Sequence, residues 1–241
     1  MTALVLEDVS VAYGTKVAIK NIDFHVKPGE VFGLMGVNGA GKTTMIKSIL
    51  GLRDQDSGSI SVYGEGLSSS SSKKKISYLP EKFEPPWFLT GMEFLKFSLS
   101  VYGQPFNRDY MIEMAEMLAL EKSALDRKVQ TYSKGMRQKL GLMGTLLTGC
   151  SLFILDEPMS GLDPMARARV KKMILDICAG ERTIFLSSHI LADMDEICDR
   201  VALLHEGTLR YVGTPKELKS ETKQAYLEKA FLEYLEKDKV A

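Results

Sequence analysis

The chain has 241 residues, 45% of them hydrophobic and 26% charged, which suffices for one α/β domain with a full hydrophobic core. Its 31 basic residues balance 31 acidic residues, and a formal net charge of zero argues against nucleic acid as a partner. No apolar run approaches the ~18 residues that span a bilayer, and Met1–Leu4 lacks the character of a signal peptide, so we expect a cytoplasmic protein.

Strand patterns dominate the N-terminal part of the chain. Apolar and polar residues alternate over Leu4–Val11 and, in part, over Val17–Val26, which predicts antiparallel strands with one buried face. Val31–Met35 is apolar on both faces, as in the buried strands of parallel sheets. A glycine-rich loop follows this strand directly, and the residues from Lys42 to Leu50 then have a helical pattern.

The loop Gly36–Thr43 matches the pattern GxxxxGK[ST] in full, between a predicted buried strand and a predicted helix. Its glycines let successive backbone N–H groups point at phosphate oxygens, and the following helix adds its positive N-terminal dipole. Lys42 is predicted to reach the β- and γ-phosphates of ATP and to be catalytic, while the Thr43 hydroxyl is predicted to bind Mg²⁺. The predicted nucleotide-binding residues of this segment are Gly36, Val37, Asn38, Gly39, Ala40, Gly41, Lys42, Thr43 and Thr44.

The next segment is more polar. Ser68–Lys75 consists of serines and lysines and predicts a solvated loop or the start of a helix; a nucleic-acid patch is the alternative, but it lacks interleaved aromatic residues. Ile76–Pro80 predicts a short strand. The prolines within Glu81–Trp87 exclude regular helix and predict an exposed loop.

A long helical stretch follows. From Met92 to Leu147 apolar residues recur at spacings of three and four, with short breaks near 103–105 and 128–133. This pattern predicts a helical subdomain, inserted at approximately residues 88–147.

Two further buried strands end on polar residues. Ser151–Leu155 is followed by Asp156 and Glu157, and Thr183–Ser188 is followed by His189. Ligands of parallel α/β sheets bind at the carboxyl ends of the strands, so we expect these side chains to meet the phosphates. The predicted fold class is therefore α/β, with a phosphate-loop NTPase core around a mostly parallel sheet, an N-terminal antiparallel β subdomain and an inserted α-helical subdomain.

Each of these polar residues has a predicted role. Asp156 is expected to hold Mg²⁺, because this ion prefers oxygen ligands, and Glu157 is suited to polarise the attacking water; a cap before Pro158 is the alternative reading of the pair. His189 is predicted to donate a hydrogen bond to the γ-phosphate. In contrast, we expect His25 and His205 to be ordinary surface histidines.

The C-terminal part contains a predicted hairpin and a charged helix. Val201–Leu204 and Thr208–Val212 flank the turn of the hairpin, and the chain becomes helical after Pro215. An apolar stripe on this helix predicts packing against the chain's own domain, with a partner-docking helix as the alternative. The stripe consists of Tyr226, Leu227, Ala230, Phe231, Tyr234 and Leu235.

The order of these motifs resembles the nucleotide-binding domain of ATP-binding cassette (ABC) transporters, over nearly the whole chain. Tyr132–Gln138 is similar to the family signature LSGGQ and keeps its serine and second glycine, as Ser133 and Gly135. Ser160–Asp163 resembles the family's D-loop, and Tyr13 stands where the family places an aromatic ring against adenine. Glu81 occupies the position of the Q-loop glutamine, where a carboxylate is a candidate ligand of Mg²⁺.

The resemblance implies ATP and Mg²⁺ as cofactors and a head-to-tail dimer with a second ATPase subunit, identical or different. ATP would lie between the phosphate loop of one subunit and Ser133 and Gly135 of the other, with Ser133 and Asp163 in catalytic roles. It also implies an ABC-type ATPase domain at 1–214 and a charged helical extension at 215–241.

The resemblance extends to function. The sequence looks most like the stand-alone ATPase subunits of bacterial drug, antibiotic-peptide or sodium exporters, which implies integral membrane transporter subunits as partners and a peripheral location on the inner face of the cell membrane. The predicted activity is ATP hydrolysis that powers transport, in the direction of export. A lone-cassette soluble ATPase, such as an accessory of iron–sulfur assembly, is the alternative.

Overall fold

A computed structural model describes residues 2–237 as two sheets with helices packed around them. The strands are β1 (Leu4–Tyr13), β2 (Lys16–Val26), β3 (Val31–Met35), β4 (Ser57–Val62), β5 (Glu65–Gly66), β6 (Ile76–Leu79), β7 (Leu152–Asp156), β8 (Thr183–Ser188), β9 (Arg200–His205) and β10 (Thr208–Gly213). The α-helices are α1 (Lys42–Ile49), α2 (Ser70–Lys74), α3 (Gly91–Val101), α4 (Arg108–Met117), α5 (Lys134–Leu146), α6 (Pro164–Ala179), α7 (Leu191–Ile197), α8 (Pro215–Glu221) and α9 (Leu227–Lys237).

The two sheets differ in strand direction. The smaller sheet has the order β2-β1-β4-β5, and all its pairs are antiparallel. The larger sheet has the order β10-β9-β3-β8-β7-β6, in which every pair is parallel except β10 with β9. The predicted α/β fold with a mostly parallel sheet and an N-terminal antiparallel sheet is confirmed.

The core explains why β3 is apolar at every position. Val31 and Met35 pack on one face of the large sheet, together with residues of α3–α7 and of the C-terminal helices. Phe32 and Leu34 pack on the other face, against the small sheet and α1. Because successive side chains of a strand point to opposite faces, a strand covered on both sides needs apolar residues throughout.

The helical stretch is less continuous than its apolar spacing predicts. The structure has no α-helix between the end of α4 and Lys134, and two 3₁₀ turns at Lys122–Asp126 and Val129–Thr131 occupy this segment instead. Ala119 has a φ of 50°, a left-handed conformation that cannot continue a helix. The apolar residues still enter the core, so their spacing records burial rather than helical continuity.

Several elements had weak signals in the sequence or were not assigned from it, among them α2, β4 and α6. Ser70–Lys74, predicted as a loop or helix start, is a short helix whose first turn is capped by the Ser69 hydroxyl. The strand β4 was not assigned because Ser57–Val62 is rich in serine and glycine, and its pairing with β1 joins residues distant in the chain. The helix α6 was not assigned either, although Asp163 as cap and Pro164 at the first position are typical start signals.

The C-terminal helices α8 and α9 pack on the same core as α3–α7. In the predicted stripe Leu227, Ala230 and Phe231 are buried, whereas Tyr226 is exposed. Residues 238–241 of the predicted extension lie outside the described residues. No helix within residues 2–237 combines the length and apolar character needed to cross a membrane.

Candidate functional site

An open cleft of ≈ 650 Å³ lies at the carboxyl ends of β3, β7 and β8. It brings together predicted residues from five separate parts of the chain, because parallel strands deliver their following loops to one edge of the sheet. The predicted residues that line it are Tyr13, Val37, Asn38, Gly39, Gly41, Lys42, Thr43, Thr44, Glu81, Asp156, Glu157 and His189. Gly36 and Ala40 belong to the same loop but are buried beneath its surface.

The backbone of the phosphate loop, Gly36–Thr43, is left-handed at two positions, a conformation that favours glycine. Gly39 and Gly41 have φ angles of 84° and 110°. A Cβ on Gly41 would also lie 2.7 Å from the carbonyl oxygen of Ala18. The helix α1 begins after Gly41 without a side-chain cap, so its first N–H groups are available to an anion. Lys42 Nζ donates to the Gly36 carbonyl oxygen at 2.6 Å, which holds its charge over the loop.

Asp156 is a buried carboxylate at the end of β7. Burial raises its pKa, the hydrogen bond from the Ser187 hydroxyl at 2.5 Å lowers it, and the nearby charges of Glu81 and Glu157 raise it further. A cation bound at this carboxylate would offset the cost of burying its charge. The Thr43 hydroxyl and the Glu81 carboxylate line the same cleft.

This oxygen donor set fits Mg²⁺. Within residues 2–237 no group of three or more His, Cys, Asp or Glu side chains is arranged to hold a metal ion by itself. Mg²⁺ is commonly bound through one or two carboxylates together with phosphate oxygens and water, so a site completed by a nucleotide agrees with these residues.

Glu157 and His189 form a close pair on the floor of the cleft. Glu157 has a φ of 50°, in the left-handed region that residues other than glycine seldom adopt, and its N–H donates to the Ser187 hydroxyl. Glu157 Oε2 lies 2.7 Å from His189 Nδ1 and also accepts from the His189 backbone N–H at 3.3 Å. The His189 side chain is 58% exposed while that of Glu157 is only 10% exposed. One oxygen of the carboxylate thus contacts both the ring and the backbone of His189, and Nε2 of the imidazole is left without this contact.

Tyr13 ends β1 at the rim of the cleft. The guanidinium carbon of Arg53 lies 5.3 Å from the centroid of its ring. Arg53 is itself held, since its Nη2 donates to the Ala12 carbonyl oxygen at 2.8 Å and it pairs with Asp56. Tyr13 also lines the cleft, and 49% of the residue is exposed, so its ring is accessible for stacking.

Several residues of the cleft had no signal in the sequence. Lys16, Val17 and Ala18 reach it from the start of β2, and Glu206 and Gly207 reach it from the tip of the hairpin between β9 and β10. The hairpin itself was expected, but its approach to the loop is a non-local contact. There the Gly207 N–H donates to the Ala40 carbonyl oxygen at 3.0 Å.

His205 corrects one expectation. We predicted a surface residue, yet its side chain is only 19% exposed. Its strand β9 lies inside the sheet, beside β3, and its Nδ1 is buried without a hydrogen-bond partner. His25, in contrast, is exposed as predicted.

Besides Gly36 and Ala40, three predicted site residues do not line the cleft. Ser133 is the exposed N-cap of α5, and its Oγ accepts from the Met136 N–H at 3.2 Å. Asp163 caps α6 through the Ala166 N–H, a bond that lowers the pKa of this carboxyl. Gly135 lies near Leu162, on the same side of the molecule as the Ser160–Asp163 loop. A single copy of the chain therefore does not bring these three residues to its own phosphate loop.

Comparisons with known proteins all identify the same family. A family model described as "ABC transporter" matches residues 19–160. A solved structure described as an ATP-binding subunit of an ABC transporter superposes with a TM-score of 0.89 and 31% identity, covering 97% of this chain and 100% of the other.

Three curated relatives carry similar descriptions. An uncharacterised ABC transporter ATP-binding protein of Synechocystis is 39% identical over 83% of this chain, which spans 58% of that relative's length. The linearmycin resistance ATP-binding protein LnrL of Bacillus subtilis is 34% identical over 88% of this chain and 69% of its own length. The Nod factor export ATP-binding protein I of Rhizobium etli is 33% identical over 90% of this chain and 70% of its own length.

Proposed function

Because the chain belongs to the ABC transporter family, we propose that it binds and hydrolyses ATP to power transport through separate membrane subunits. One observation carries this proposal: a single cleft holds the phosphate loop, the buried Asp156 and the Glu157–His189 pair. These are the parts that phosphoryl transfer to water requires.

The residues of the cleft divide the work. The N–H groups of the phosphate loop and Lys42 bind the phosphates, and Tyr13 stacks on the base. Thr43, Asp156 and Glu81 would hold Mg²⁺, and the ion would supply positive charge against the phosphates. Glu157 orients and polarises the attacking water, and His189 contacts the γ-phosphate through Nε2, which the contact of Nδ1 with Glu157 leaves free.

A second ATPase subunit completes the site in this proposal. Ser133, Gly135 and Asp163 lie outside the cleft of their own chain and would face the phosphates bound by the partner. The Ser133 Oγ already accepts a hydrogen bond from the Met136 N–H, so its own proton is available for a phosphate oxygen. The 13-residue helix α5 adds its positive N-terminal dipole to the same point.

The experiment that tests the proposal is Glu157→Gln. The amide keeps the shape of the side chain but not the basicity that polarises water. We expect ATP binding to persist, turnover to fall ~100-fold or more, and a stable ATP-bound dimer to elute from gel filtration. Glu113→Gln, an exposed residue of α4, is the matched control and should leave all three unchanged. A variant that stays monomeric with ATP and continues to hydrolyse it would contradict both the role and the dimer.

We propose that the membrane subunit contacts the loop Glu81–Trp87, which would place the chain at the inner face of the membrane. Trp87 and Phe88 are 66% and 57% exposed. Trp87 also lines a second groove, together with Lys82, Lys134 and Arg137 among others. A photo-crosslinker at Trp87 should capture a membrane protein in cells that assemble the complex, and one at Tyr110 should not. Membranes washed with alkali should release the chain.

The names of the relatives bear on the direction of transport and on the alternative function. The Rhizobium etli relative is described as an export protein and the Bacillus subtilis relative as a resistance protein, and these names support export. The relatives named above are transporter proteins, and they give no support to a role in iron–sulfur assembly.

We also propose that the chain divides into an ATPase domain at 1–214 and a helical extension at 215–241.

A further inference from the structure

A buried ion pair joins α6 to α7 behind the cleft. Asp193 is 2% exposed, and its Oδ2 accepts from Arg167 Nε at 3.0 Å and from Arg167 Nη2 at 2.6 Å. Lys171 Nζ lies 3.3 Å from the other carboxylate oxygen. A carboxylate removed from water persists as an ion only with such partners. None of these three side chains lines the cleft, so the catalytic roles described above do not account for them.

Each member of the pair lies one helical turn beyond a proposed site residue. Arg167 follows Asp163 by four positions, and its N–H donates to the Asp163 carbonyl oxygen at 2.9 Å. Asp193 follows His189 by four positions, and its N–H donates to the Ile190 carbonyl oxygen at 3.2 Å. The ion pair therefore connects the first turns of the two helices that begin just after Asp163 and His189.

The contacts close a ring around two neighbouring loops. The loops leave adjacent strands, β7 and β8, and are joined at that end by the bond between Glu157 Oε2 and His189 Nδ1. At the far end they are joined by Arg167 and Asp193. His189 and Asp163 are both exposed, so packing does little to fix either side chain. The ring supplies the rigidity that packing does not.

We infer that Arg167 and Asp193 are positioning residues, which fix the position of His189 relative to Asp163. When the second subunit contacts Asp163, the ion pair couples that contact to the position of His189. This inference rests on the proposed function. The guanidinium suits the task because its planar fork fixes both distance and angle to the carboxylate, which an ammonium does not.

The decisive measurement is the ring signal of His189 in Arg167→Met. Lys171 remains as a cation for Asp193 in this variant, so the buried carboxylate keeps a partner. We expect the nuclear magnetic resonance signals of the His189 ring to move, while the signals of the His25 and His205 rings stay in place. ATP binding, governed by the distant phosphate loop, should change by less than about twofold, and kcat should fall ~10- to 100-fold with KM little altered.

Glu196→Gln is the matched control. It removes the exposed partner of Lys171 from the same pair of helices and leaves the Arg167–Asp193 contact intact. It should move neither the His189 signals nor kcat. Arg167→Lys should give an intermediate kcat, because it keeps the charge and loses the fork. If Arg167→Met fails to fold, Arg167→Lys serves for the same measurements.

The outcomes separate this inference from the proposed function. An Arg167→Met protein that folds with unshifted His189 signals, or with normal kcat, overturns the positioning role. A fall in kcat without a change at His189 also overturns it, because the pair would then act by another route. A wild-type chain that does not hydrolyse ATP, with its membrane subunits present, overturns the proposed function instead.

Discussion

At the scale of single residues, Asp156 shows the conflict between stability and function. Its burial raises the folded-state pKa above the ordinary value of 3.8. Between these two pKa values the folded state binds more protons than the unfolded state, so stability falls as pH rises through this window. Above the folded-state pKa the carboxylate is ionised, and its unfavourable contribution to the free energy of unfolding reaches its full size.

We therefore expect Asp156→Asn to be more stable than the wild type at pH 7, by about 0.5–2 kcal/mol, with the difference closing as pH falls below the folded-state pKa. The amide oxygen still accepts from Ser187, and no charge is buried. Mg²⁺-dependent ATP binding should be lost. Urea unfolding across pH checks the first point, with the exposed Asp54→Asn as control. A variant less stable than wild type at pH 7 would show that the Ser187 bond outweighs the cost of burial.

Tyr13 tests how the base is held. One face of the Tyr13 ring is covered by Arg53, and the proposed stacking uses the ring itself. Removing the ring therefore leaves the adenine without a stacking surface. Since stacking contributes ~1–3 kcal/mol per base, Tyr13→Ala should weaken ATP binding ~5- to 150-fold and leave binding of inorganic tripolyphosphate unchanged. Calorimetry with both ligands distinguishes this from a damaged phosphate loop. Tyr110→Ala removes a tyrosine of similar exposure from α4 and should affect neither ligand.

At the scale of elements, the helix α5 gives Ser133 two roles. Its hydroxyl caps the helix, and in the proposed dimer it also contacts phosphate. Ser133→Ala should therefore cost ~1 kcal/mol of stability, as loss of an N-cap does, and should also reduce turnover at saturating ATP. Thr214→Ala removes the cap of α8 and is the matched control, with a similar loss of stability and normal turnover. Equal turnover in the two variants would leave Ser133 as a cap alone.

The elements also show which structural features sequence can predict. The buried strands β3, β7 and β8 and the phosphate loop were predictable because each has a local signature: continuous apolar residues, or glycines at fixed spacing. The strand β4 and the approach of Gly207 to Ala40 were not, because they depend on pairings between distant segments. The 3₁₀ turns after α4 share the apolar spacing of a helix, so periodicity alone does not separate them.

The candidate site divides in the same way. Lys42, Asp156 and His189 were predicted from local pattern and lie in one cleft. Ser133 and Asp163 were singled out only by family resemblance, since nothing in their local pattern distinguishes them from ordinary helix caps. Arg167 and Asp193 escaped notice because an ion pair between two helices leaves no mark on either segment by itself.

At the scale of the whole molecule, a composite site predicts complementation between two inactive variants. Lys42→Ala lacks its own phosphate binding but retains Ser133, and Ser133→Ala has the opposite defect. Mixing them should restore one working site in each mixed dimer, up to about a quarter of wild-type activity if subunits pair at random and the sites act independently. Steady-state ATP hydrolysis at several mixing ratios checks this, with each variant alone as control. A mixture no more active than its components would contradict the composite site.

The order of strands in the large sheet has a consequence for the timescales of motion in the site. β3, which carries the phosphate loop, lies in the interior between β9 and β8, so its amide hydrogens should exchange with solvent only when the whole domain unfolds. β6, which leads to Glu81, is at the edge and should exchange sooner. The phosphate loop therefore follows the strand whose amide hydrogens exchange most slowly, whereas Glu81 follows a strand whose amide hydrogens exchange faster. Nucleotide binding is therefore expected to slow amide hydrogen exchange most around Glu81, so the largest change should be measured at the edge of the sheet.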